Sequence, residues 1–149
     1  MTEVVFYHLQ RQPLEQVLPG LLERCLERQW RVVVQVGSEE RRDALDAQLW
    51  TYRDESFLPH GTVKEGRAAE QPVWLTAGDD NPNAATVRFL ADGAELAQYA
   101  GYQRVVILFD GNDADAVDRA RGQWSAAKAA GHDATYWQQS DAGRWEKKA

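Results

Sequence analysis

The sequence predicts a single α/β domain in which mostly parallel strands lie between helices on both faces, and three observations carry that expectation. Apolar strand-like runs alternate with helical periodicity through the first third of the chain, as strand-helix-strand units require. Val32-Val33-Val34 is apolar without alternation, as a strand covered on both faces must be. The 149 residues, 44% of them hydrophobic with six Trp, five Tyr and four Phe, suffice for one core and fall short of two full domains.

The elements follow in order. Val4-Val5-Phe6-Tyr7 is a β-branched and aromatic run that reads as a buried strand. From Leu14 to Leu26 the apolar positions Leu14, Val17, Leu18, Leu21, Leu22, Cys25 and Leu26 recur every three or four residues, one face of a helix. Pro13 suits its first turn, whereas Pro19 either kinks the helix or marks a later start. Arg31 to Val36 reads as a second strand, and Ser38 caps a helix with Glu39 and Glu40 in its first turn and Ala44, Leu45 and Leu49 on its inner face. Residues 50–61 lack any period yet hold three aromatics, and the polar stretch from Lys64 to Gln71 reads as mobile. Pro72 to Thr76 and Thr86 to Leu90 are further strands on either side of the turn-rich Gly78 to Asn83. Arg104 to Asp110 is the clearest strand in the chain, followed by an amphipathic helix from Asp113 to Ala130 that stops at Gly131. A last strand, Ala134 to Gln138, precedes the turn Asp141-Ala142-Gly143, so residues 143–149 read as a C-terminal hairpin extension of the one domain, 1–149.

Charge and composition narrow the function. With 23 acidic against 17 basic side chains the formal net charge is -6, which opposes general attraction to a phosphate backbone. No run approaches the roughly 20 apolar residues of a membrane span, and the N-terminus lacks a basic-then-apolar leader, so a cytoplasmic location is expected. Cys25 stands alone within an apolar pattern and reads as a small core residue. His8, His60 and His132 are far apart without metal-ligand spacing, and neither phosphate-binding glycine fingerprint occurs. No cofactor or metal is therefore expected. The competing enzymatic reading is a small metal-dependent nucleotide hydrolase using Asp110, Asp113 and Asp115 at a strand end. The same aspartates equally suit a turn and a helix N-terminus, and the run lacks the glycine a calcium loop needs at its sixth position.

The most informative pattern lies on the late helix. At about 100° per residue, Val117, Arg121, Trp124 and Lys128 fall within an arc of roughly 60°, so two cations flank an indole on one stripe. Such a stripe suits an anionic peptide ending in an apolar side chain, the cations holding carboxylate and the ring receiving the apolar group. The alternative is that Trp124 is core and the two charges snorkel at its edge.

Several segments together carry a family resemblance: Val5-Phe6-Tyr7, Ala47-Gln48-Leu49-Trp50 leading into Glu55-Ser56-Phe57-Leu58-Pro59-His60, Pro72-Val73, Val105 to Asp110, and Ala120-Arg121 with Trp124, Lys128, Ala130 and Gly131. Over nearly the whole chain they resemble the chi subunit of the bacterial DNA polymerase III holoenzyme, a clamp-loader accessory. The resemblance implies a three-layer Rossmann-like fold and a non-catalytic replisome adaptor. It further implies that Arg121 and Lys128 hold the acidic, phenylalanine-ended C-terminal tail of single-stranded-DNA-binding protein, with Trp124 and Val117 lining the pocket. Val117 stands where the family pattern accommodates another basic residue, which makes this site less basic. Trp50, Phe57 and Pro59 match the part of the family that contacts the psi subunit or clamp-loader complex. DNA is then reached only indirectly, through the single-stranded-DNA-binding protein.

Overall fold

A computed structural model of the protein describes residues 2–51, 60–63 and 67–149. Among these described residues seven strands and three α-helices follow one another as β1 (Glu3–Leu9), α1 (Leu14–Glu27), β2 (Val32–Gln35), α2 (Glu39–Thr51), β3 (Val73–Thr76), β4 (Val87–Leu90), β5 (Arg104–Asp110), α3 (Ala114–Ala129), β6 (Asp133–Gln139) and β7 (Trp145–Lys147). The strands form one sheet in the order β3-β2-β4-β5-β1-β6-β7, parallel throughout except for the antiparallel β6–β7 hairpin. The expected α/β architecture with its mostly parallel sheet is what the chain adopts, and β6 and β7 pair as an antiparallel hairpin. Within the polar stretch from Lys64 to Gln71, Ala68–Glu70 forms a 3₁₀ turn, and residues 64–66 lie outside the described residues.

Strand pleating sorts the core into two layers. Val5, Leu9, Val106 and Leu108 point to the face covered by α1 and α2, where Leu18, Leu22, Leu45 and Leu49 meet them. Val4, Phe6, Val105, Ile107 and Phe109 point to the opposite face, beneath Ala120 and Ala127 of α3. Val32 and Val34 join the first layer while Val33 packs with Trp74 and Ala85 on the other side, which is why this run could dispense with polar alternation.

Helix α1 runs unbroken through Pro19. Proline has no N–H to give the Glu15 carbonyl one turn back, and Gln48 Nε2 of α2 donates to that carbonyl instead at 3.1 Å. Ser38 caps α2 through its hydroxyl, which accepts from Arg41 N at 3.2 Å. The inner face of α2 differs from the expected one in a single position: Ala44 is exposed, and Arg42 takes a buried place beside Leu45 and Leu49. Arg88, fully buried in β4, donates to Gln35 Oε1 at 2.7 Å and to the carbonyls of Gly78 at 2.7 Å and Asp80 at 2.8 Å, which ties the 78–83 turn to the sheet.

Candidate protein-interaction site

Helix α3 sits over β5, β1 and β6 because small residues, Ala120 and Ala127, occupy its line of closest approach to the sheet. Asp113 fixes its start, the carboxylate accepting from Asp115 N at 3.0 Å and Ala116 N at 3.4 Å. Gly131, with φ of +82°, fixes its end. The stripe of Val117, Arg121, Trp124 and Lys128 therefore lies on one flank of the buried face. Val117 and Trp124 are half-buried at its inner margin, and Arg121 and Lys128 are exposed at its outer one.

Trp124 is held by aromatic neighbours from two strands. Its ring meets Phe6 edge-on at a centroid distance of 5.4 Å and Tyr136 at 6.1 Å, while the Lys128 ammonium lies 5.2 Å from its centroid. The two readings of Trp124 thus coincide in one side chain: one edge is packed in the core, and the ring also carries a cation. Arg121 is 3.8 Å from Asp118, a loose and solvent-screened pair that leaves its guanidinium accessible.

The floor of the site contains two residues that the sequence pattern did not single out for it. Tyr136 of β6 lies beside Trp124, and its hydroxyl is 2.5 Å from Nδ1 of His8. Burial pushes the Tyr136 phenol above its usual range, with the positive charge of Arg121 pulling the other way. Burial also lowers the His8 pKa, against the opposing pull of Asp110, so the neutral imidazole is favoured. His8 is wedged so closely beneath Gly111 that a methyl group there would sit 1.9 Å from Nε2. The periodicity of β6 puts Tyr136 on the face of Ala134; that this face lies against the α3 stripe depends on β6 pairing with β1.

A second group of residues gathers at the opposite edge of the sheet. Trp50, near the end of α2, is 46% exposed and packs against the buried His60 at a centroid distance of 4.4 Å. His60 Nε2 lies 3.0 Å from Asp46 Oδ1, and Gly61 continues along β3 through Gly61 N to Val73 O and Leu75 N to Gly61 O, both 2.9 Å. Trp50 and His60 are thereby brought together near the β3 edge. Phe57 and Pro59 lie outside the described residues.

Asp110 and Asp113 carry the hydrogen bonds of a strand-end turn and a helix cap, and Asp115 lies in the first turn of α3. Asp110 accepts from Asn112 N at 2.9 Å and Asp113 is engaged as the helix cap. Among the described residues no group of three His, Cys, Asp or Glu side chains is placed to hold a metal ion. Cys25 is buried in the core, and burial pushes its thiol up, away from the thiolate form.

Comparison with known proteins yields one consistent result. Residues 1–135 match the family model described as DNA polymerase III chi subunit. The chain is 27% identical over 117 residues to a probable DNA polymerase III subunit chi of Rickettsia prowazekii, covering 74% of this chain and 71% of that protein. It is 39% identical over 64 residues to DNA polymerase III subunit chi of Pseudomonas aeruginosa, covering 40% of this chain and 44% of that one.

Proposed function

Because the chain belongs to the DNA polymerase III chi subunit family, whose members are accessory rather than catalytic subunits of that polymerase, we propose that it is a replisome adaptor acting in the cytoplasm. Its task is to couple the clamp-loader complex to single-stranded-DNA-binding protein by holding the acidic, phenylalanine-ended tail of the latter on α3. The observation that carries this reading is the half-buried indole of Trp124 bracketed by two exposed cations, with the Lys128 ammonium 5.2 Å from the ring. A terminal carboxylate finds charge-assisted donors in Arg121 and Lys128, and the phenylalanine ring finds Val117, Trp124 and Tyr136. Trp50, with Phe57 and Pro59, forms the surface for psi or another clamp-loader subunit.

Among the described residues no helix is long and apolar enough to cross a membrane. The formal charge of -6 disfavours direct DNA binding, so DNA is engaged only through the single-stranded-DNA-binding protein. The deciding experiment titrates the protein with an acidic peptide ending in a free phenylalanine and with the same peptide amidated. Binding that is salt-sensitive and lost on amidation supports the reading. Equal affinity for both peptides, or tight binding of a bare single-stranded oligonucleotide, overturns it.

A further inference from the structure

The hairpin strand β7 lies beyond residues 1–135, the part that matches the family, and its register puts it at the sheet edge beside β6, the strand that carries Tyr136. Trp137 pairs with Lys147 and Gln138 with Glu146. Trp137 packs into the layer under α1, so its partner Lys147 faces that layer, away from α3. Glu146 and Lys148 consequently face the α3 side. Two contacts agree with this: Lys148 Nζ lies 3.8 Å from Glu146 Oε1, and the backbone of Lys148 donates to the Tyr136 carbonyl at 2.7 Å, directly opposite the tyrosine that floors the site. Lys148 therefore stands beside Tyr136 on the face of the sheet that α3 covers, at the edge strand next to β6.

We infer that β7 is the second wall of the peptide site, and that Lys148 supplies a third cation for the acidic segment preceding the terminal phenylalanine. This rests on the α3 reading above. Charge complementarity selects the occupant: three cations, Arg121, Lys128 and Lys148, gather on this face of a chain whose formal charge is -6, and Arg121 and Lys148 have only loose pairs at 3.8 Å with Asp118 and Glu146. The first turn of α3 is acidic, with Asp113 and Asp115, and repels an anionic peptide from that end. The acidic segment therefore runs from the Arg121 and Lys128 end across Tyr136 toward Lys148. The Lys148 side chain is about half exposed and its only ion-pair partner among the described residues is Glu146, so it is available to a ligand.

The test measures binding of the acidic, phenylalanine-ended peptide to the full chain at low salt for the wild type, Lys148→Gln, Lys147→Gln, Glu146→Gln and Arg121→Ala, with thermal melts to verify folding. Lys148→Gln is expected to weaken binding roughly two- to fivefold, the scale of one exposed charge pair, and Glu146→Gln to tighten it by a similar factor. Lys147→Gln, on the other face, leaves it unchanged. If Arg121→Ala weakens binding while Lys148→Gln matches Lys147→Gln, the second wall is refuted and the α3 site stands. If the peptide fails to bind the wild type, both fall.

Discussion

Phe6 of β1 and Trp124 of α3 meet edge to face with their centroids 5.4 Å apart, so the indole at the centre of the candidate peptide site is also a strut between helix and sheet. Stability and recognition converge on Trp124 and separate at its neighbours. Trp124→Ala is expected to cost on the order of 2 kcal/mol in urea denaturation, below the figure for a fully buried tryptophan because this ring is half exposed. Loss of peptide binding in that variant is therefore not diagnostic.

Arg121→Ala and Lys128→Ala separate the two roles. Both side chains are exposed, so melting temperatures should hold within error while peptide affinity falls about two- to fivefold for each. The wild-type affinity should decline with added salt and do so less steeply in either variant. A salt-independent affinity that both substitutions leave alone would make these cations ordinary surface charges.

The two candidate partner surfaces lie at opposite ends of the sheet, with five strand spacings, about 24 Å, between β3 and β6. Sites so far apart with no shared side chains should act independently. Trp50→Ala is expected to weaken association with the clamp-loader partner and to leave the peptide dissociation constant unchanged, whereas Arg121→Ala does the reverse. Calorimetric titrations of both ligands on both variants check this, and cross-talk between the sites would contradict it.

Acid should weaken the fold in two steps. Burial depresses the pKa of His8 below its ordinary 6.5, so the unfolded chain takes up that proton first and stability falls as pH drops from about 6.5 toward the lower folded value. Glu15, held below 4.5 chiefly by its hydrogen bond from Arg41, adds a loss only below about pH 4.5. Melting temperatures recorded from pH 7.5 to 3.5 should show the first decline in the wild type and a flatter curve above pH 5 in His8→Gln. An unchanged slope in that variant would remove His8 as the cause.

Gln48 and Pro19 form a testable compensation. Gln48→Ala withdraws the donor serving the Glu15 carbonyl and should cost about 1 kcal/mol. In a Pro19→Ala background the new N–H at position 19 can serve that carbonyl, so the same Gln48→Ala change should cost clearly less. A double-mutant cycle by chemical denaturation gives the coupling, and strict additivity would mean that Gln48 acts elsewhere.

The elements of this fold were legible because each writes its own period. Val105 to Phe109 cannot satisfy its apolar side chains except as a strand buried on both faces, Asp113 and Gly131 bracket α3 by local backbone chemistry, and Gly143 marks the hairpin turn. The stripe of Val117, Arg121, Trp124 and Lys128 follows likewise from helical geometry alone. Local patterning says nothing about which strand lies beside which. Sheet order alone brings Tyr136 and His8 to the flank of α3 and sets Lys148 beside Tyr136, because β6 pairs with β1 and β7 closes the edge. Pro19 makes the same point within a helix: its sequence signature is a break, and α1 continues through it because Gln48, from another helix, supplies the missing hydrogen bond. Period and capping depend on neighbours within a few residues along the chain. Assembly of the site depends on neighbours through space, which only the packing of the sheet and its two helical layers decides.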